Sequence, residues 1–74
     1  MSGKLKDQIE YTMLCVDKFA SATGLPETSA FSYLYINKGI EFLDQCYEVE
    51  STLSPRIVVE DLRAICRRNG GVPV

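Results

Sequence analysis

Apolar residues recur at intervals of three and four through most of the chain, the rhythm of amphipathic helices rather than of strands. Leu5, Ile9, Met13, Val16 and Ala20 set it over residues 4–22, and Leu14, Cys15 and Phe19 widen the stripe. Lys4, Lys6, Asp7, Glu10, Asp17 and Lys18 fall mostly off that face. Gly24 supplies a stop, because glycine readily takes the left-handed conformation that ends helices. Leu25-Pro26-Glu27-Thr28 opens a second helix, with proline tolerated in the first turn and an acid suited to the helix dipole. Ala30, Phe31, Leu34 and Tyr35 carry its helical spacing, and Asn37-Lys38-Gly39 ends it, with Gly39 as the residue just past the last turn.

A third helix is predicted from Ile40 to about Thr52. Phe42, Cys46, Val49 and Leu53 form its buried stripe, flanked by Ile40, Leu43 and Tyr47, while Glu41, Asp44 and Glu48 share the solvated side. Ser54-Pro55 interrupts the pattern, since proline disfavours helical backbone in the residue before it. Arg56-Ile57-Val58-Val59 is β-branched and reads as extended. Glu60-Asp61 then begin a fourth helix, which buries Leu62, Ile65 and Cys66 and carries Arg63, Arg67 and Arg68 toward its C-terminal end, as the dipole favours. Asn69-Gly70-Gly71 stops it, and residues 70–74 are expected to fray.

These elements predict an all-α fold: a compact bundle of about four short helices, the third near the centre, with a short extended segment before the last. Ile9, Met13, Val16, Phe31, Leu34, Phe42, Cys46, Val49, Leu62 and Ile65 are the expected core. Seventy-four residues suffice for one small domain, residues 1–74, and no repeat or linker divides them. A chain of this size buries only about 60% of the surface its unfolded form exposes, so its core is marginal. Small scaffolds of this kind lean on tight packing, a staple or a partner.

Composition narrows the chemistry. The three cysteines, Cys15, Cys46 and Cys66, are odd in number, lack C-x-x-C spacing and sit among apolar neighbours. A disulfide-stapled secreted domain would carry an even, dense set, so these read as packing thiols in a reducing compartment. Residues 1–10 lack the apolar run of a signal peptide, and no stretch approaches the roughly 18–20 apolar residues that span a bilayer. The expectation is a cytoplasmic protein with no membrane association. Net charge is −2 with a pI of 4.9, the wrong balance for a domain devoted to phosphate backbones.

The chain has no histidine, which removes the usual general base, the Ser–His and Cys–His nucleophile pairs and the commonest zinc ligand. Two carboxylate groupings remain, Glu41 with Asp44 and Glu48, and Glu60 beside Asp61. A glycosidase needs its two carboxylates across a cleft in opposed environments; these read instead as a solvated face and a helix N-terminus. Gly70-Gly71 follows a helix rather than preceding one, so no phosphate-binding loop is formed. No enzyme activity, cofactor or metal site is expected. Arg56, Arg63, Arg67 and Arg68 support one alternative, a small DNA-binding transcriptional regulator using a C-terminal arginine cluster. Against it, the helix that would enter the groove carries Glu41, Asp44, Glu48 and Glu50, the wrong sign for phosphates.

A resemblance covers nearly the whole chain. Tyr33-Leu34, Gly39-Ile40, Phe42-Leu43, Tyr47-Glu48-Val49, Ile57-Val58 and Glu60-Asp61-Leu62 resemble a family of short bacterial proteins known as domain of unknown function 3791. Relatives often carry a histidine near the position of Leu53; here Ser51, Thr52 and Leu53 stand there, so a role of that histidine is not shared. Family members tend to be encoded beside other small proteins, some resembling ADP-ribosyltransferase-like toxins. That association implies an accessory or antitoxin-like role. Together with the marginal core and spare tyrosines, it leads to the expectation of a non-enzymatic protein-interaction module. Its partner, or a second copy, would meet Tyr33, Tyr35, Glu41, Asp44, Glu48, Arg63 and Arg67. Tyrosine suits such a surface because it offers a large ring and a polar tip.

Overall fold

A computed structural model of the protein describes residues 2–74, with side chains from Leu5 onward. The placement of Lys4 on the polar side of the first helix lies outside the described side chains. Five α-helices follow one another: α1 (Ser2–Thr23), α2 (Glu27–Ile36), α3 (Gly39–Gln45), α4 (Tyr47–Glu50) and α5 (Pro55–Arg68). The all-α bundle expected from the periodicity is present, with the third predicted helix divided in two.

The turns follow from local chemistry. At the end of α1 Gly24 adopts φ 77°, and the Thr23 hydroxyl donates to the Phe19 carbonyl at 2.8 Å, occupying an acceptor that the last turn leaves open. Pro26 precedes α2 as its cap instead of entering its first turn. The α2–α3 corner corrects the role given to Gly39. Lys38 takes the left-handed conformation there, at φ 71°, while Gly39 is the first residue of α3. Glycine is required at that position because a Cβ would lie 2.8 Å from Leu34 Cδ2. The constraint is close helix approach, not backbone handedness.

Two further corrections concern residues 46–59. Cys46 leaves helical geometry (φ −107°, ψ 21°), so the predicted helix over residues 40–52 becomes α3 and the single turn α4. Residues 56–59 are helical, not extended. Ser54 is the extended residue (φ −69°, ψ 152°), and Pro55 starts α5, its fixed φ suited to a first turn. Val58, Val59, Leu62 and Cys66 all become buried in this register. Full burial of a valine is worth roughly 1.5–3 kcal/mol. A β-branched residue in a helix costs at most about 0.7 kcal/mol, so packing overrides propensity.

The core brings together Cys15, Val16 and Phe19 of α1, Ala30 and Leu34 of α2, Leu43 of α3, and Val58, Val59, Leu62 and Cys66 of α5. As expected, α3 sits centrally and touches every other helix. Val16, Leu34 and Leu62 are buried as predicted, and Phe42, Cys46 and Ile65 are half-buried. Ile9, Met13, Phe31 and Val49 are not core residues: they are 53%, 67%, 45% and 64% exposed. Phe19, fully buried, stacks on the ring of Tyr33 with centroids 5.9 Å apart.

The C-terminal segment makes contacts with the rest of the fold through residues 71, 72 and 74. Gly71 N–H donates to the Cys66 carbonyl at 2.8 Å, the Tyr33 hydroxyl donates to the Val72 carbonyl, and Val74 packs against the core.

Candidate functional site

Helix α1 contains 22 residues, about 33 Å at 1.5 Å per residue, and so runs nearly the full 36 Å length of the molecule. Helix α2, at 10 residues, is about 15 Å long. It folds back along the C-terminal half of α1 and leaves the N-terminal half thinly covered. The face of α1 that points into this gap carries Leu5, Ile9 and Met13 beside Gln8 and Thr12.

The result is an open groove of about 700 Å³ bounded by α1, α2 and α3. Leu5, Ile9 and Met13, spaced four apart, form one wall. Phe31, Tyr35 and Ile36 of α2 form the other, with Ile40 of α3 at the end. Phe31 and Tyr35 meet edge to face, ring centroids 6.1 Å apart. Ile36 is 75% exposed and Tyr35 63%. A second cleft of about 500 Å³ shares Thr12, Met13 and Phe31 and reaches Glu27 at the start of α2. Polar groups stand at the edges: Lys38, Glu41 and Asp44 at one end and Glu27 at the other. An apolar surface rimmed by polar residues marks an interaction site more often than a single exposed leucine does.

The residues singled out in the sequence separate into different places. Tyr35, Glu41 and Asp44 come together in the groove. Tyr33 lies two residues from Tyr35 and on another face of α2: its ring covers Phe19 and its hydroxyl holds the C-terminal segment. Burial raises the Tyr33 pKa, helped by Cys66 and opposed by the positive charges of Arg67 and Arg63. Arg63 Nη2 donates to the Ala22 carbonyl at 3.3 Å, compensating the negative end of α1. Arg63 and Arg67 therefore act near Tyr33 and away from the groove. Glu48 is an exposed residue of α4 that does not line it. Arg56 and Arg63 flank a shallow cleft with Lys18, and Glu60 sits among them. Sequence reasoning missed Ile36, and it assigned Ile9, Met13 and Phe31 to the interior. The available signal was a surplus of apolar positions on α1, more than one helix face can bury in so small a core.

A separate polar cluster lies between α1, α4 and α5. Glu50 is only 5% exposed. A hydrogen bond between its carboxyl and that of Asp61 forms when one of the two is protonated. Burial, then that hydrogen bond, then the charge of Asp61 push the Glu50 pKa up to about 7. Glu50 Oε1 and the Tyr11 hydroxyl are buried without a geometric hydrogen-bond partner among the described residues. The Tyr11 hydroxyl faces the Cys15 thiol, a weak partner, and its ring meets that of Tyr47 edge to face at 5.4 Å. Burial and these neighbours raise the Tyr11 pKa. Burial likewise raises the Cys15 thiol and pushes Cys66 up to about 11. Glu50 and Asp61 do not line the groove.

Among the described residues no group of three or more His, Cys, Asp or Glu side chains could hold a metal ion, and no helix is long and apolar enough to cross a membrane. No curated protein matches the chain, and no solved structure does. The model of the family described as "Protein of unknown function (DUF3791)" matches residues 10–69, spanning both walls of the groove from Thr12 onward and all of α5, and the chain belongs to that family.

Proposed function

We propose that this chain is a non-enzymatic protein-interaction module that docks a companion protein through the groove between α1, α2 and α3. One observation carries the reading: Leu5, Ile9, Met13, Phe31, Tyr35 and Ile36 are all exposed around a single groove on a chain whose core is small. Leaving them in water forgoes roughly 25 cal/mol for each Å² of apolar area that a partner would cover. An antitoxin-like or accessory partnership is the form of this role suggested by the neighbours of family members, and it rests on that association alone. A cytoplasmic setting belongs to the same reading, supported by the odd cysteine count and by Cys15 and Cys66 serving as buried packing groups.

The DNA-binding alternative has less support. Arg63 is engaged by the end of α1, Glu60 interrupts the basic cleft, and α3 is seven residues long with acids facing outward. The test is parallel purification of the tagged chain and its Ile36→Asp variant from the same cells through a moderate salt wash. A stoichiometric protein retained by the first and lost from the second supports the reading. Identical companions on both, or only nucleic acid on both, refute it.

A further inference from the structure

The edges of the groove carry more chemistry than its floor. Glu41 and Asp44, three apart on α3, stand at one end beside Lys38, and Glu27 stands at the other. Among the described residues two carboxylates and one ammonium line the groove, and the adjoining cleft adds a third carboxylate, Glu27. One wall is helical in shape: Leu5, Ile9 and Met13 span nine residues of α1, about 12 Å and two helical turns. Partner helices occupy such grooves with anchors at i, i+3, i+4 and i+7. A peptide strand would need a sheet edge to extend, and the described residues contain no strand.

We infer that the groove receives a basic amphipathic helix, whose apolar face enters between α1 and α2 and whose Lys or Arg side chains meet Glu27, Glu41 and Asp44. This rests on the interaction-module reading and adds the chemistry of the partner. A second copy of the chain fits the groove poorly. An isologous pairing covers the same patch on both copies, and among the described residues lining that patch Lys38 is the one cation to set against Glu41 and Asp44. The arginines Arg56 and Arg63 lie by Lys18 and Ala22, at the other end of α1 from Leu5. They are not among the residues that line the groove.

The test uses two fluorescein-labelled model peptides of about 15 residues, long enough to hold helical structure. Both carry leucines at i, i+3, i+4 and i+7; one has lysine at the remaining positions, the other glutamate. Fluorescence anisotropy against the full chain is expected to show the lysine peptide binding about tenfold more tightly at low salt. That ratio corresponds to a few exposed ion pairs, and it should shrink as salt is added. Ile36→Asp separates groove binding from attraction to net charge. It adds a negative charge at an exposed position and leaves the core alone, as circular dichroism can verify. Binding in the groove falls at least tenfold in this variant, whereas binding by charge alone rises. Glu41→Lys with Asp44→Lys should reverse the peptide preference.

Equal or tighter binding of the glutamate peptide, still lost in Ile36→Asp, overturns the basic partner and leaves the docking groove standing. Binding of neither peptide to a chain that light scattering finds dimeric, and that Ile36→Asp makes monomeric, overturns it in favour of a second copy. Binding of neither peptide to a monomeric chain overturns both the partner and the groove.

Discussion

Replacing Glu50 by Gln should stabilise the protein at pH 8 and leave it nearly unchanged at pH 5. In the folded chain the Glu50 proton is held up to a pKa of about 7, against an ordinary value of 4.5. A raised carboxyl pKa means that the folded state binds the proton more tightly than the unfolded state. Stability is then greatest below the unfolded pKa and declines as pH rises through the window from about 4.5 to 7. At 1.36 kcal/mol per unit, the full shift corresponds to about 3 kcal/mol. A chain of this length has roughly 4–11 kcal/mol of total stability, so the decline is a large share of it. Glutamine stays neutral at every pH, and its amide can donate to Asp61 as the protonated carboxyl does.

Thermal and urea unfolding followed by far-ultraviolet circular dichroism from pH 5 to pH 8 reads this directly. At 4–8 °C per kcal/mol for a domain this small, the wild-type midpoint should drop by about 10 °C or more across the range. The Glu50→Gln midpoint should stay nearly level. The measurement is clean because the chain has no histidine, the one side chain whose ordinary pKa falls in that interval. A wild-type stability that does not change between pH 5 and 8 refutes the shared proton. So does a Glu50→Gln variant with the wild-type slope, which would put the titration elsewhere. Asp61→Asn offers a second check, since it removes the charge that helps hold the proton and should also flatten the profile.

Other positions give independent tests. Gly39→Ala should cost about 1–3 kcal/mol in urea unfolding, because the new methyl meets Leu34 across the α2–α3 corner. Lys38→Gly, one residue earlier, should gain up to about 1 kcal/mol, since the left-handed conformation burdens lysine and not glycine. Tyr33→Phe removes the donor to the Val72 carbonyl, a loss of roughly 0.5–1.5 kcal/mol; hydrogen exchange at the Gly71 amide should quicken as the C-terminal segment releases. Brief alkylation of the native protein at pH 8, read by mass spectrometry, should modify half-buried Cys46 before Cys15 and Cys66, which are buried and carry raised thiol pKa values. Early loss of Cys66 would mean that α5 opens more readily than its packing implies.

On α1 and α2 the sequence was misleading for one and the same reason. Periodicity reports which residues share a face and not whether anything covers that face. On α1, Leu5, Ile9, Met13, Val16 and Ala20 do share a face as read, but the core selects a neighbouring strip through Cys15, Val16 and Phe19. The two strips meet at Val16 and part toward the N-terminus, where α2 is too short to follow. Phe31 and Tyr35 repeat this on α2, while Ala30 and Leu34, on the adjoining face, are completely buried. Residues 56–59 misled in the opposite sense. Their β-branched run suggested extension, and only the buried register of Val58, Val59, Leu62 and Cys66 explains why a helix prevails. Helix number failed at Cys46, where no glycine or proline marks the break between α3 and α4. Glu50 was counted among exposed acids because a lone carboxyl on a polar stretch carries no sign that a distant Asp61 will share its proton. The ends of α1 and α5 were legible because Gly24 and Asn69-Gly70 stop them locally; the groove was not, because exposure depends on the relative lengths of helices that only the assembled fold brings side by side. Four of the ten residues that sequence alone assigns to the core, Ile9, Met13, Phe31 and Val49, are left to water, and three of them line the groove or its adjoining cleft. A hydrophobic excess of this kind, periodic yet uncovered, is the feature on which the proposed docking reading rests.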